Sequence, residues 1–357
     1  MSLVEPAQSL SPEAAVTQSL DAPLVAIVGA TGAVGVELLR CLEERDFPLS
    51  GLRLLASPRS AGQTFRFRGQ ELTVEALGPD SFEGVGLALF SAGSGVSKQY
   101  ASLAVAAGAV VVDNSSAFRM DAAVPLVVPE VNGDAIARHK GIVANPNCVA
   151  AIATVPLWPL HQRHRIRKVI AATYQAASGA GAAAMEELRQ STAAYLAGEA
   201  FEPRVLRHPY AFNLFSHDSA MDPETGTNGE ESKVMAETKR ILNLPDLAMG
   251  ITCVRVPVLR AHCIALTVEF AEPVTPQAVR DLLAAAPGVR VVDDAASNHY
   301  PMPVEASGQG DVLAGRIRQD SSDPSGRTVS LFVAGDQLLK GAALNAVQIA
   351  ERLVGRS

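Results

Sequence analysis

The sequence has few cysteines, no excess of positive charge and no long hydrophobic run. Its four cysteines, Cys41, Cys148, Cys253 and Cys263, show neither a disulfide framework nor CxxC spacing, which predicts free thiols in a reducing compartment. A net charge of −7 provides no basic surface for nucleic acid. Apolar runs such as residues 149–160 are short and interrupted by proline, so no membrane span is predicted. These absences indicate a soluble, cytoplasmic protein that binds neither nucleic acid nor a membrane.

The amino terminus also lacks basic residues, since the first Lys or Arg is Arg40. We therefore expect neither a positively charged signal-peptide start nor an Arg-rich transit peptide. Residues 1–22, rich in Ser, Ala, Glu and Gln, are expected to be a flexible extension. The remaining chain is long for one hydrophobic core, so two domains are expected.

The pattern of apolar residues changes character near the middle of the chain. From Leu24 to Asn147, β-branched runs alternate with helical segments, which predicts βαβ units and a parallel sheet. Later strands have few helices between them, so a mostly antiparallel sheet is expected in an α+β second domain. We therefore predict one domain over residues 23–148, completed by a carboxy-terminal helix over 338–357, and a second domain over 149–337.

A glycine-rich segment, VAIVGATGAVGVELL, opens the first βα unit. Gly29, Gly32 and Gly35 have three-residue spacing between strand and helix, where glycine permits a tight turn, approach of a pyrophosphate and close packing of the helix on the sheet. A merely structural turn is the alternative, but the position of the segment favours a Rossmann-type dinucleotide-binding domain. The expected cofactor contacts in this loop are Gly29, Thr31, Gly32, Ala33 and Val34.

The end of the second predicted strand indicates which dinucleotide binds. An NAD-selective site would place Asp or Glu there to bind the ribose 2′-hydroxyl. This chain instead has Ser57, Arg59 and Ser60, and a guanidinium flanked by hydroxyls suits a 2′-phosphate. Arg59 could also be an ordinary exposed loop arginine. NADP is the predicted cofactor.

Cys148 follows the bend Asn145-Pro146-Asn147 and begins a segment of helical character. A small apolar residue in a buried corner would explain it. A helix amino terminus, however, also lowers the pKa of a thiol and directs the thiolate out of a turn. Cys148 is therefore a candidate nucleophile.

Several motifs in order resemble the aspartate-β-semialdehyde dehydrogenase family from about Val25 to Val354. They are GATGAVG, ASPRSAG, VVDNSSAFR, VPLVVPEVN, ANPNC, TYQAASGAG, EESK, ETKRIL, CVRVPVLRAH and GDQLLKGAALNAVQIAE. The resemblance implies an NADP-linked, phosphorylating reaction that interconverts aspartyl phosphate and aspartate 4-semialdehyde through a cysteine thioester. It places the reaction on the route to lysine, threonine and methionine, and it implies a homodimer formed through the second domain.

The resemblance also implies roles for individual residues. Cys148 is expected to be the nucleophile, with a thiol pKa depressed by the helix and nearby cations, and turn amides would hold the oxyanion. His262 would be the acid/base, titrating near the working pH, and Gln175 would orient the acyl intermediate. Further cofactor contacts near the nicotinamide are expected at Ser178, Gly179 and Gln337.

Substrate contacts are expected from four further residues. The planar fork of Arg255 suits the α-carboxylate, and Glu230 matches the contact to the α-amino group. Arg119 and Lys233 match the phosphate-binding positions. Without the resemblance, Glu230 and Lys233 would be interpreted as a surface ion pair on one helix face.

Three features of the sequence leave alternatives open for the function and the site. Many members of the family have a hydroxyl residue after the nucleophile, whereas Val149 and Ala150 follow Cys148 here. An N-acetyl-γ-glutamyl-phosphate reductase and a non-catalytic nucleotide-binding paralogue are the alternative interpretations. The basic segment 161–168 has no third metal ligand nearby, so no metal is expected.

Overall fold

The structure is a computed structural model that describes residues 21–356. The extension predicted for residues 1–22 lies outside the described residues, apart from its last two. Among residues 21–356, no helix is both long and apolar enough to cross a bilayer.

The strands and helices follow the predicted alternation. The strands are β1 Leu24–Val28, β2 Gly51–Ala56, β3 Thr64–Phe67, β4 Gln70–Ala76, β5 Leu87–Phe90, β6 Val110–Asp113, β7 Ile142–Ala144, β8 Ile166–Gln175, β9 Phe215–Ser216, β10 Ala248–Arg255, β11 His262–Phe270, β12 Val289–Val291, β13 Val312–Gln319 and β14 Thr328–Gly335. The helices are α1 Ala33–Glu44, α2 Ser94–Ala106, α3 Pro129–Asn132, α4 Cys148–His164, α5 Ala182–Ala197, α6 Gly229–Ile241, α7 Pro276–Ala284, α8 Pro303–Ala306 and α9 Leu344–Leu353.

The first sheet has the strand order β3-β4-β2-β1-β5-β6-β7 and is parallel except for the β3/β4 pair. Its central strands are short runs of buried Val, Leu, Ile and Ala, as expected for strands covered on both faces. The chain leaves β1 toward β2 on one side and later occupies the other side through β5. This reversal beside β1 is where such sheets bind nucleotides.

The second sheet has the order β12-β13-β14-β11-β8-β10-β9. Its β12/β13 and β8/β10 pairs are parallel, and its other pairs are antiparallel. Helix α4 packs against α6 and against α7, and α4 and α6 cover one face of this sheet. The prediction of a Rossmann-type domain followed by an α+β domain with a mostly antiparallel sheet is confirmed.

Two segments differ from the sequence prediction. Strands β3 and β4 form a hairpin that the sequence analysis did not identify, because their side chains are mostly polar and exposed. The carboxy-terminal helix is not regular, since residues Leu339–Ala343 form a π-helical turn before α9. The buried Lys340 in this turn pairs with Glu130 and donates to Asn345 Oδ1 at 2.8 Å. Helix α9 then packs on α1.

Candidate active site

A pocket of about 300 Å³ lies between the carboxyl ends of the first sheet and the ends of β8 and β10. Loops that follow β5, β6 and β7 form one wall, and the other wall comes from the second sheet and α6. The predicted site residues in its lining are Val34, Arg119, Cys148, Gln175, Ser178, Gly179, Glu230, Arg255 and Gln337. Residues from distant parts of the sequence therefore meet around Cys148.

Cys148 is the first residue of α4, and the side chain of Asn147 caps this helix. Oδ1 of Asn147 accepts from the N–H of Val149 at 2.8 Å and from that of Ala150 at 3.4 Å. These amides are thus engaged within the protein, which does not support the expectation that the turn presents them to an oxyanion. Gly341 lies against Cys148 on its other side.

The prediction that the helix and nearby cations lower the pKa of the Cys148 thiol is wrong. The Cys148 thiol is half-buried, and its pKa is raised to about 12. The larger cause is burial, and the second is the negative charge of Glu230. Arg119, Arg255 and the N–H of Val149 act in the opposite direction and are outweighed. The thiol is therefore protonated at neutral pH, because desolvation and a nearby carboxylate both disfavour the thiolate.

Glu230 is the centre of a buried hydrogen-bond cluster beside the thiol. Its Oε1 accepts from Nδ2 of Asn147 at 2.9 Å and from Nε2 of Gln175 at 3.2 Å. Oε1 of Gln175 in turn accepts from the hydroxyl of Thr173 at 3.0 Å. Both predicted residues, Glu230 and Gln175, are thus held in fixed orientations at the pocket wall.

The two predicted phosphate ligands differ in position. Arg119 lines the pocket, where it donates to the carbonyl oxygens of Asn145 and Asn114 at 2.9 and 2.7 Å and pairs with Glu237 at 3.2 Å. Lys233 is exposed on α6 and does not contribute to the pocket lining. Only Arg119 is therefore placed in direct contact with the pocket.

Arg255, at the end of β10, is 4 % exposed and faces a loop that the sequence analysis did not connect to it. One terminal nitrogen lies 2.9 Å from Nε2 of His217, and the other donates to the carbonyl oxygen of Ala176 at 3.3 Å. Nε of Arg255 lies 3.5 Å from Oδ1 of Asp218. Its guanidinium is consequently held from three sides.

His262, at the start of β11, is fully buried behind Gly179. A Cβ atom on Gly179 would come 2.9 Å from Nε2 of His262, so glycine is required between this ring and the pocket. Nδ1 accepts from the N–H of Ala176 at 3.0 Å, which leaves the ring proton on Nε2. Burial, then Arg255 and His217, lower the pKa of His262 well below 6.5, so the expectation of titration near neutral pH is wrong.

The glycine loop has the geometry that a dinucleotide site requires. A Cβ atom on Gly35 would lie 2.2 Å from the carbonyl oxygen of Gly29, so helix α1 can approach the loop only with glycine at this position. A Cβ atom on Gly32 would meet only that carbonyl, at 3.4 Å, and otherwise faces open space. These contacts fit a pyrophosphate at the amino terminus of α1.

The other predicted cofactor residues lie in two places. Ser57, Arg59 and Ser60 follow the carboxyl end of β2, beside the glycine loop, with Ser57 and Arg59 exposed. Ser178 and Gln337 are buried together, where the amide of Gln337 donates to the hydroxyl of Ser178. Oε1 of Gln337 accepts from the N–H of Ala261 at 2.9 Å. This pair connects the Gly179 segment to the strand that carries His262.

Among the residues at the site that sequence reasoning did not assign are Asn147, His217 and Gly341 in the pocket lining, and Glu237 behind Asn147. Asn147 belongs to the NPNC motif, and its place before a helix was a signal for a capping role. Oε2 of Glu237 accepts from the N–H of Asn147 at 2.5 Å, a contact between distant segments that no local pattern shows. His217 and Gly341 likewise reach the pocket only through the tertiary fold.

The chain matches two family models. Residues 24–139 match the NAD binding domain of semialdehyde dehydrogenases, and residues 157–340 match their dimerisation domain. The chain is 52% identical to an aspartate-semialdehyde dehydrogenase of Synechocystis sp. over 93% of its own length and 97% of that protein. It is 46% identical to the Bacillus subtilis protein of the same name, over 92% and 96% of the two chains.

Solved structures show the same similarity. The crystal structure of aspartate semialdehyde dehydrogenase II from Vibrio cholerae, complexed with ASA, superposes with a TM-score of 0.89 at 41% identity. That match covers 94% of this chain and 98% of the other. A structure from Candida albicans with NADP has a TM-score of 0.71 at 24% identity, covering 93% and 98%, and shows the common fold.

Proposed function

Because the chain belongs to the aspartate-semialdehyde dehydrogenase family, we propose that its Cys148 pocket carries out the NADPH-dependent reductive dephosphorylation of L-aspartyl 4-phosphate to aspartate 4-semialdehyde. The chain is an NADP-dependent oxidoreductase of lysine, threonine and methionine biosynthesis. The family match favours this function over N-acetyl-γ-glutamyl-phosphate reduction and over a non-catalytic role. The observation that carries the proposal is the convergence of Cys148, Glu230 and Arg255 in one pocket beside the glycine loop.

The cofactor is assigned to residues of both sheets. Gly29, Thr31, Gly32, Ala33 and Val34 would hold the pyrophosphate, and Ser57, Arg59 and Ser60 would bind the 2′-phosphate. Ser178, Gly179 and Gln337 would face the nicotinamide, since they line the side of the pocket opposite the first sheet. When bound there, the reduced cofactor supplies a hydride to the acyl carbon.

The substrate is proposed to lie between fixed charges. Arg255 would bind the α-carboxylate, and Glu230 the α-ammonium group. Arg119 would contact the phosphoryl group from the pocket wall, with Lys233 adding positive charge from the exposed side of α6. Inorganic phosphate is accordingly the proposed co-substrate of the reverse reaction.

Cys148 is the proposed nucleophile. Its sulfur forms a bond to the acyl carbon of aspartyl phosphate while the bond from that carbon to the phosphate oxygen breaks, and the departing phosphate takes up the thiol proton. The negative charge of Glu230 raises the thiol pKa. The ammonium group of the substrate would neutralise that charge, so the substrate itself would promote loss of the thiol proton. Gln175, bonded to Glu230, is positioned to orient the resulting thioester.

His262 is proposed to act at the last step. The backbone N–H of Ala176 holds Nδ1, so Nε2 carries a hydrogen that points past Gly179 toward the pocket. When the carbon–sulfur bond breaks and the aldehyde forms, this N–H can hydrogen-bond to the departing sulfur or to the oxygen that becomes the aldehyde carbonyl. The neutral ring favoured by burial suits a hydrogen-bond donor better than a base.

A homodimer is proposed through the face of the second sheet opposite α4 and α6, on which α8 packs against β14. Ile170 and Tyr174 on β8 are exposed there, and the ring of Tyr174 lies 5.9 Å from that of Phe332 on β14. An apolar sheet face of this kind marks an interaction surface. We also propose the domain limits 23–148 with 338–357, and 149–337, and a cytoplasmic location.

The direct test is an absorbance assay for reduced cofactor with aspartate semialdehyde, phosphate and NADP. Phosphate-dependent formation of NADPH is expected. Activity with N-acetylglutamate semialdehyde instead would favour the rival reductase. NADP binding with no turnover of either aldehyde would favour a non-catalytic role.

A further inference from the structure

The loop between α5 and α6 is fixed to the edge of the second sheet next to Arg255. Its short strand β9 pairs antiparallel with β10, with Phe215 opposite Arg255. The N–H of His217, the first residue after β9, donates to the carbonyl oxygen of Cys253 at 2.9 Å. These bonds place His217 and Asp218 beside the guanidinium of Arg255, where His217 lines the pocket.

The contact between His217 and Arg255 determines the protonation state of the imidazole. A guanidinium can only donate, so Nε2 of His217, 2.9 Å from Arg255, must be the acceptor. The ring proton is then on Nδ1, which lies 3.2 Å from the hydroxyl of Ser219 and 3.8 Å from Oδ1 of Asp218. The backbone N–H of Ser219 also lies 3.2 Å from Nδ1 and would suit the other tautomer, but that tautomer would place a hydrogen on Nε2 against the donor of Arg255. The contact with Arg255 therefore requires a neutral ring.

We propose that His217 is a positioning residue for Arg255: its neutral ring holds one arm of the guanidinium and so directs the fork that recognises the substrate carboxylate. The inference rests on the proposed function, in which Arg255 binds that carboxylate. A planar fork gives bidentate recognition only when its plane is aligned with the anion. A long arginine side chain released from one of its contacts would lose part of that alignment.

Charged or titratable groups on four segments face the His217 ring. They are Arg255 on β10, Asp218 beside the ring, Glu230 and Lys233 on α6, and His262 on β11. Burial and then Arg255 lower the pKa of His217, with Lys233 in the same direction, and the two carboxylates only partly oppose them. The ring is therefore neutral at neutral pH.

The sign of the resulting pH dependence follows from this lowered pKa. As the pH falls below 6.5 and through the pKa of His217, the ring gains a proton, loses its acceptor and repels Arg255. The KM for aspartate semialdehyde should rise on this acid side. The pH dependence of the cofactor KM should lack this change, because the glycine loop lies on the other sheet.

Two substitutions separate positioning from simple support of the loop. His217→Gln keeps an acceptor oxygen and cannot titrate, whereas His217→Phe keeps a ring and has no acceptor. His208→Gln is the matched control, since His208 is an exposed histidine of the same loop that contacts Phe215 edge-on. Each variant is assayed with aspartate semialdehyde and with 3-aminopropanal, which has the aldehyde and the amine but no carboxylate.

We expect His217→Phe to raise the KM for aspartate semialdehyde about tenfold or more, as for loss of a charge-assisted hydrogen bond, with little change in kcat. Its activity on 3-aminopropanal should not change. His217→Gln should resemble the wild type above neutral pH and should lack the acid-side rise in KM. The His208→Gln control should retain both the KM and its pH dependence.

Three outcomes would overturn the inference. Equal losses on both aldehydes in His217→Phe would show that the residue only supports the loop. An unchanged acid-side rise in His217→Gln would mean that another group titrates. A wild-type KM in His217→Phe, in an enzyme that turns over aspartate semialdehyde, would refute the positioning role and leave the proposed function standing. Absence of any wild-type turnover would refute the proposed function and this inference together.

Discussion

Gly341 and Cys148 lie in direct contact across the pocket: a Cβ atom on Gly341 would come 2.8 Å from Cβ of Cys148. Any side chain at position 341 must therefore displace the nucleophile or the π-helical turn. Misplacement of a reacting group by about 1 Å can cost about 10²-fold in rate. We predict that Gly341→Ala lowers kcat by about tenfold or more while the Kd for NADP stays close to that of the wild type.

The measurement is steady-state turnover together with fluorescence titration of the cofactor. Gly95→Ala in α2 is the matched control, since a Cβ atom there would meet nothing within 4 Å. Wild-type turnover in Gly341→Ala would show that the contact does not constrain the nucleophile.

Glu230 should have opposite effects on the reactivity of the thiol and on turnover. Its negative charge raises the pKa of Cys148, so Glu230→Gln should increase the rate of iodoacetamide labelling of Cys148 at a fixed, mildly alkaline pH. The same change removes the proposed partner of the substrate ammonium and should lower kcat/KM. Labelling is followed by mass spectrometry of the peptide that contains Cys148.

Glu224→Gln is the control for this charge change, because Glu224 is exposed in the loop before α6. Glu224→Gln should alter neither the rate of iodoacetamide labelling of Cys148 nor kcat/KM. Slower labelling in Glu230→Gln would mean that the carboxylate assists ionisation of the thiol, contrary to the arrangement in the structure.

Arg59 should select the cofactor. It is exposed beside the glycine loop, where a charge-assisted contact to a 2′-phosphate would contribute about 1.5–3 kcal/mol. Arg59→Ala should raise the KM for NADP and leave the NAD-linked rate nearly unchanged. The control is Arg66→Ala, an exposed arginine on β3. Equal losses with both cofactors would show that Arg59 only supports its loop.

Because His262 is buried as a neutral ring, we predict that the free energy of unfolding decreases in acid. Its folded-state pKa lies well below the value of 6.5 expected in the unfolded chain, so the unfolded state binds more protons as the pH falls below 6.5. The free energy of unfolding should therefore decrease with falling pH in this range. His262→Asn offers an acceptor oxygen in place of Nδ1 and cannot titrate, so the decrease should be smaller.

Urea denaturation at a series of pH values measures this difference. His139, His161 and His217 also have lowered pKa values, so part of the decrease should persist in the variant. Identical pH dependence in the variant and the wild type would show that His262 does not contribute.

The sequence was most informative where local chemistry decides the structure. The glycine loop, the buried strands of the first sheet and the helix that begins at Cys148 follow from residue patterns along a short stretch. The pairing of His217 with Arg255 does not, because it depends on how β9 aligns with β10.

The pKa of Cys148 was mispredicted for a related reason. A helix amino terminus argues for a low pKa, but burial and the carboxylate of Glu230, brought in by the tertiary fold, determine the direction. Lys233 has the helical spacing from Glu230 that the sequence suggested, yet it lies on the exposed side of α6.

The central claim is that Cys148 forms the covalent thioester, and mass spectrometry of the enzyme mixed with L-aspartyl 4-phosphate in the absence of NADPH tests it most directly. Burial raises the pKa of all four cysteines to about 12, so exposure separates them: Cys41, Cys253 and Cys263 are buried, whereas Cys148 is partly exposed in the pocket. We predict an aspartyl adduct on the peptide that contains Cys148, and no adduct and no turnover in Cys148→Ser, which should still bind NADP. An adduct on another cysteine, or retained turnover in Cys148→Ser, would contradict the account.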